Sequence, residues 1–205
     1  MILLVISLII GAIMSIFSPE TLPNNQNSTL TAVDSLELKK QERIKDSLLI
    51  VNKKKKDKGK RALKLFKKKK DEFEGNTFYR DPRTPYYSNV NFIYPYIGQK
   101  GDNYWLRLKF QYASDDWLFI DNAIILVDGE KFTVTGNWER DSNSKIWEWL
   151  DISVKNNERL ILEIIANSKS AKVRYNGSQY YKDRTITRKE KNIIKKTLGI
   201  FDNLK

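Results

Sequence analysis

Residues 104–112 read Tyr-Trp-Leu-Arg-Leu-Lys-Phe-Gln-Tyr, and their alternation decides the fold class. Tyr104, Leu106, Leu108, Phe110 and Tyr112 fall on one face of an extended chain, and Trp105, Arg107, Lys109 and Gln111 on the other. A period of two predicts a strand with one face on a core. The second face carries polar groups and an indole, so it meets water, a ligand or a packed helix.

The surrounding segment has the content of a single core. All five Trp and all ten Tyr lie after residue 73, and large aromatic side chains bury the most area per residue. Moving toward the C-terminus, Trp117–Ile120 and Ala123–Val127 are apolar runs, followed by Asp128-Gly129 and Lys131–Thr135. Asp-Gly between two apolar runs predicts a hairpin, because the turn needs positive φ. Trp138–Arg140 and Ile146–Trp149 read as two strands joined by Asp141–Lys145. Asn157–Ala166 places Leu160, Ile161, Ile164 and Ile165 at helical spacing, with a strand as the alternative because of its β-branched content. Ala171–Tyr175 alternates into Asn176-Gly177, a second hairpin signal. Thr187-Arg188-Lys189-Glu190 is a capping box. It opens a helix that buries Ile193, Ile194, Thr197, Leu198 and Phe201, with Gly199 as its expected stop.

Toward the N-terminus, Phe78-Tyr79 reads as a short strand and Arg80–Pro85 as a turn, since two prolines do not share a ladder. Tyr86–Tyr96 is aromatic and Asn-rich, and Gln99–Asn103 is a loop. Residues 73–205 are therefore expected to form one α+β domain. It is mostly antiparallel and β-sandwich-like, with seven to nine short strands and a C-terminal helix across them.

The first 72 residues differ in kind. Residues 1–17 carry no charged side chain and would span about 25 Å as a helix, the short end for crossing a bilayer. A transmembrane anchor is favoured over a cleaved signal, because neither a basic start nor a small-x-small cleavage site is present. Export of the C-terminal domain behind a single-pass anchor is the expected topology. Residues 18–33 read as a flexible linker. From Asp34 a helical pattern with Leu38, Ile44, Leu48 and Val51 predicts a basic helical stalk over 34–72, with a weak point at Gly59. Its thin apolar stripe asks for a partner helix, such as a short coiled coil, a surface or the domain itself.

Net charge is +12, and it is concentrated. Residues 53–70 hold eleven Lys and Arg61 against the single acid Asp57, so the rest of the chain is nearly neutral. Lys53, Lys54, Lys55 and Lys56 form one tetra-lysine run; Lys67, Lys68, Lys69 and Lys70 form another. On one continuous helix the two would lie over the same side. They suit anionic lipid or a cell-wall polymer. Nucleic acid is disfavoured, since no arginine and aromatic residues interleave there. The competing reading is a solvated, self-repelling spacer.

The absence of Cys and His excludes disulfides, thiol nucleophiles, Cys/His zinc sites and a histidine base, and no cofactor is implied. Asp115, Asp116, Glu148 and Asp151 could supply a glycosidase pair if they converged. Otherwise they are turn residues and strand ends. Asp141–Ser144 only faintly echoes a calcium loop, so no metal is expected. Trp105, Arg107, Trp147 and Trp149 are the candidate binding residues, for a carbohydrate or a protein partner. The alternative for the indoles is a second apolar layer under the helices.

Asp71–Gly75, Trp105–Arg107, Phe110–Tyr112, Asp116–Ile120 and Val173–Gly177 together resemble a β-rich domain of bacterial exported proteins and lipoproteins of unassigned function. The resemblance covers about residues 71–200. It implies a bacterial, envelope-associated domain and carries over no site residues; the cysteine of the lipoproteins is absent. The expected function is a membrane-anchored, non-enzymatic binding or interaction module of unknown ligand. The alternative is a carbohydrate-active enzyme using paired carboxylates.

Overall fold

The computed structural model describes residues 27–205, with side chains from Ser35 onward. The expected anchor or signal at 1–17 lies outside the described residues. Among the described residues, no helix is long and apolar enough to cross a membrane. The chain divides between Leu48 and Leu49 into two units. Helix α1 is Asn27–Leu63, so the linker expected through residue 33 gives way to helix seven residues sooner.

The remainder is α+β, with two antiparallel sheets, ten strands and a C-terminal helix. One sheet contains β1 (Lys67–Lys70), β2 (Thr77–Arg80), β3 (Phe92–Lys100), β4 (Asn103–Ser114), β7 (Glu139–Ser142) and β8 (Ile146–Ser153). Its order is β1-β2-β3-β4-β8-β7. The other contains β5 (Ile120–Val127), β6 (Glu130–Thr135), β9 (Ala171–Gly177) and β10 (Tyr181–Thr185), in the order β10-β9-β5-β6. Helices α2 (Asn156–Asn167) and α3 (Arg188–Leu204) complete the chain. The seven to nine strands expected become ten because β1 and β3 were not foreseen.

The alternation of residues 104–112 holds within β4: Leu106, Leu108, Phe110 and Tyr112 are buried and face the four-stranded sheet. Between the sheets the rings of Tyr112 and Tyr175 lie 5.4 Å apart, and Tyr175 donates its hydroxyl to the Gln111 carbonyl. Ile161, Leu162 and Ile165 of α2, with Ile194, Leu198 and Phe201 of α3, join the same core. The helix expected for 157–166 is the form adopted, rather than the strand alternative.

Strand β3 shows why it escaped the sequence pattern. Both of its faces are buried along Phe92–Pro95, so polar and apolar residues do not alternate. Pro95 also reads as a break. It is tolerated because β2 pairs only with Ile97–Gln99, leaving the edge of β3 free at residues 93–95. Two N–H groups would point out of that edge. The Ile93 N–H donates to the Glu190 carboxylate of α3 at 2.8 Å, and Pro95 has none to satisfy. Gly101, with φ of 58°, and Asp102 close the β3–β4 hairpin in place of the expected loop.

Five further expectations are corrected. Helix α1 ends at Leu63 rather than near Asp71, because Leu63 and Phe66 turn into the core. Lys67–Lys70 then pair with β2, so the two tetra-lysine runs share no helix face. Gly59 is not a break: α1 passes so close to Asn203 that a Cβ there would sit 3.0 Å from its backbone carbon. Gly199 does not stop α3, which continues to Leu204. Asp128-Gly129 forms its turn with φ of 46° and 100°, whereas β9 and β10 first pair at Asn176 and Tyr181, placing Asn176-Gly177 at the strand end. Gly177 is required for another reason: a Cβ would fall 1.8 Å from the Leu118 carbonyl oxygen.

Candidate functional site

Strand pairing assembles the outward face of the six-stranded sheet, opposite the core. Across β3, β4 and β8 the register aligns Tyr96 with Arg107 and Ser153, Tyr94 with Lys109 and Asp151, and Phe92 with Gln111 and Trp149. Ile146, Glu148 and Leu150 are buried inward, which turns Trp147 and Trp149 outward, on the same face as Arg107. On the far side, β1 aligns Lys67 with Arg80 and Lys69 with Phe78. Trp105, Arg107, Trp147, Trp149, Lys67 and Lys69 thus share one sheet face. Lys53–Lys56 do not; they remain exposed on α1.

Trp105 is half-buried, and its cover is local. Its indole lies over Gly98, where a Cβ would come within 2.2 Å of the ring, and it meets Phe78 edge-on at 6.3 Å. Removing the Cβ from the facing strand makes room for the ring.

At the centre of the face, Tyr96, Arg107 and Asp151 form a closed set. The Tyr96 hydroxyl donates to Asp151 at 2.8 Å. Arg107 Nε donates to Asp151 at 2.8 Å and to the Tyr96 oxygen at 2.9 Å. Arg107 also reaches the Asp151 carbonyl at 2.9 Å. Burial, followed by the Asp151 charge, holds the Tyr96 phenol well above its ordinary value, so it remains a donor. Arg107 is therefore satisfied internally and orients the tyrosine.

Beside this set lies a cleft of about 800 Å³. Lys67, Lys68, Lys69, Arg80 and Lys109 supply its cations, and Phe78, Tyr86, Tyr94 and Tyr96 its aromatic walls, with Asp151 as its acid. Among the described residues, none of those five cations forms an ion pair. Lys109 sits in the floor, where its Nζ donates to Ser88 Oγ at 3.1 Å. Burial pulls its ammonium below the ordinary value; Asp151 and then Glu139 oppose that, while Arg80 and then Lys69 reinforce it. An anion entering the cleft would relieve that mutual repulsion.

Residues 86–91 cross the outward face as a strap. Asn91 exchanges two hydrogen bonds with the Ala113 backbone, at 2.9 and 3.2 Å, and Gln111 donates to the Tyr87 carbonyl. On the far side of the strap lies a second cleft of about 510 Å³, lined by Tyr87, Ser88, Asn89, Asp141, Asn143, Trp147 and Trp149.

The four acids considered as a catalytic set do not converge. Glu148 is fully buried on the inward face. It accepts the N–H groups of Leu118, Phe119 and Ile120 and the Nε of Arg140, at 2.8–3.0 Å. Asp151 points the opposite way, and Asp115 is exposed beside Lys145. Asp116 is exposed as well. A carboxylate pair across one scissile bond is therefore not formed by these four. Among the described residues, no group of three acids is placed to hold a metal ion.

Sequence reasoning missed Tyr94, Tyr96, Phe78, Arg80 and Asp151 as members of the face. The parity of residues 104–112 placed Lys109 there, but the β3 partners required the register. No family model matches the chain, and no curated protein or solved structure is similar to it at a significant level.

Proposed function

We propose that the chain is a non-enzymatic binding module whose ligand surface is the outward face of the six-stranded sheet, and that its basic cleft takes an anionic ligand. The two sheets would act as a sandwich-like support, with residues 1–17 as a single-pass membrane anchor and the exposed basic part of α1 as a stalk. An envelope location with the domain exported fits this reading, and the ligand class is an anionic cell-wall polymer or anionic lipid headgroup. The single observation that carries it is the clustering of five cations without ion pairs around aromatic walls in one cleft. Like charges held together cost energy unless a counter-charge arrives. The aromatic walls add planar surface for rings.

A competing role exists for part of the set. Lysines on an exposed edge strand such as β1 protect a sheet from pairing with other chains. That role does not explain Arg80 and Lys109, which lie inside the sheet. The test uses the full chain in non-ionic detergent and fluorescence anisotropy with a labelled heparin oligosaccharide. Binding should weaken steeply between low and physiological salt. The combined variant Lys67→Gln, Lys69→Gln, Arg80→Gln should bind about tenfold more weakly or worse, roughly 1.4 kcal/mol. Unchanged binding would assign the β1 lysines to edge protection alone. Vesicles with and without phosphatidylglycerol distinguish a lipid headgroup from a polymer.

A further inference from the structure

We infer that the cleft between the strap and the β7–β8 hairpin is a subsite for a neutral sugar ring, beside the anion-binding cleft. The inference rests on the reading of this face as the ligand surface, and it sharpens the ligand to a glycan carrying both neutral and acidic groups.

Trp147 and Trp149 stand two residues apart on one strand, so both indoles project from the same face of β8. A pyranose has an apolar C–H face that lies on an indole and a rim of hydroxyls that each donate and accept. The cleft offers both kinds of partner. Tyr87, Asn89, Asn143 and Asp141 line it, and among the described residues the Tyr87 hydroxyl, the Asn89 amide, the Asn143 Nδ2 and one carboxylate oxygen of Asp141 make no hydrogen bond with protein. Donors and an anionic acceptor are thus arrayed around an aromatic floor. Its size, about 510 Å³, falls within the range of small-molecule sites.

Both walls are held in place. The strap is tied through Asn91 to Ala113 and through Ser88 to Lys109. The hairpin is tied by Asn143 Oδ1, which accepts from the Lys145 N–H and the Ser144 hydroxyl. Lys109 connects the two clefts: it lines the basic one, bonds the strap, and places its ammonium 5.6 Å from the centre of the Trp149 ring. A glycan crossing the strap above Lys109 would place an acidic group in one cleft and a neutral ring in the other.

The test is fluorine NMR of the full chain in detergent, labelled with 5-fluorotryptophan and titrated with cellopentaose and with the N-acetylglucosamine pentamer. The expected result is saturable movement of the Trp147 and Trp149 signals by at least one sugar, with Trp138 unmoved. Trp149→Ala should abolish binding. Asp141→Ala and Asn143→Ala, both at exposed positions outside the core, should weaken it about tenfold, which separates loss of the site from loss of the fold. The Lys67→Gln, Lys69→Gln, Arg80→Gln variant should keep neutral-sugar binding while losing heparin. No movement with either sugar at 10 mM, or movement that survives Trp149→Ala and Asp141→Ala alike, overturns the subsite. If neither sugar binds while heparin binding still depends on Lys67, Lys69 and Arg80, the subsite is overturned and the basic cleft stands by itself.

Discussion

Strand β8 carries two carboxylates three residues apart, each paired with an arginine, and they do opposite work. Glu148 faces inward and has no solvent exposure; Asp151 faces outward, with its side chain 20 % exposed. Glu148 binds three consecutive backbone N–H groups, Leu118 to Ile120, where the chain leaves β4 and crosses to the other sheet. That crossing is bent enough to hold Phe119 at a φ of 54°, with Arg140 over its ring. Asp151 binds two side chains, Tyr96 and Arg107, and orders the outward face of the sheet. The difference shows that partner type, backbone or side chain, separates a structural acid from one that serves a surface.

The largest expected effect follows from the inward acid. Glu148→Ala leaves Arg140 and three N–H groups without their partner, and breaking a buried pair costs roughly 3–5 kcal/mol. Urea unfolding should show a loss of that size, whereas Asp151→Ala should lose about 1 kcal/mol. Equal losses would break the comparison. Gly177→Ala attacks the same crossing from β9, since its Cβ would meet the Leu118 carbonyl. Overpacking of this kind should cost about 2 kcal/mol or more in the same assay.

Asp81 supplies an intermediate case and a pH signature. It is buried, and although burial pushes its carboxyl up, hydrogen bonds from Arg83 and then Lys196 hold it at about 2. Because the folded value lies below the ordinary one, its contribution is complete above about pH 4 and is lost as pH falls toward 2. That contribution is on the order of 2 kcal/mol. Acid unfolding of Asp81→Asn should lack this component, and an unchanged acid profile would remove Asp81 from the account. The smallest effect is expected at Gly98→Ala, which would displace the Trp105 ring; a shifted Trp fluorescence with little loss of stability is the expected outcome.

The sequence spoke clearly where one physical signal dominated. The alternation of Leu106, Leu108 and Phe110 marked β4, and Thr187 with Glu190 marked the start of α3. It was silent where two surfaces compete, as in β3, whose Tyr94 and Ile93 are buried on opposite faces. Four identical lysines carry no periodicity, so Lys67–Lys70 took the helical reading of their neighbours. The aim of Trp147 and Trp149, left open between a binding face and a second apolar layer, was set by the inward burial of Ile146, Glu148 and Leu150. The meeting of Asp151 with Tyr96, 55 residues away in sequence, came only from the register of three strands.

The central claim is that the cations of the outward face, rather than those of α1, bind an anionic ligand. It is tested most directly by comparing heparin affinity of two variants of the full chain. One carries Lys67→Gln, Lys69→Gln and Arg80→Gln; the other carries Gln at Lys53, Lys54, Lys55 and Lys56. The account predicts a loss of about tenfold or more in the first, and a smaller loss in the second although it removes one more charge. Equal losses, or a larger loss in the second, would contradict it.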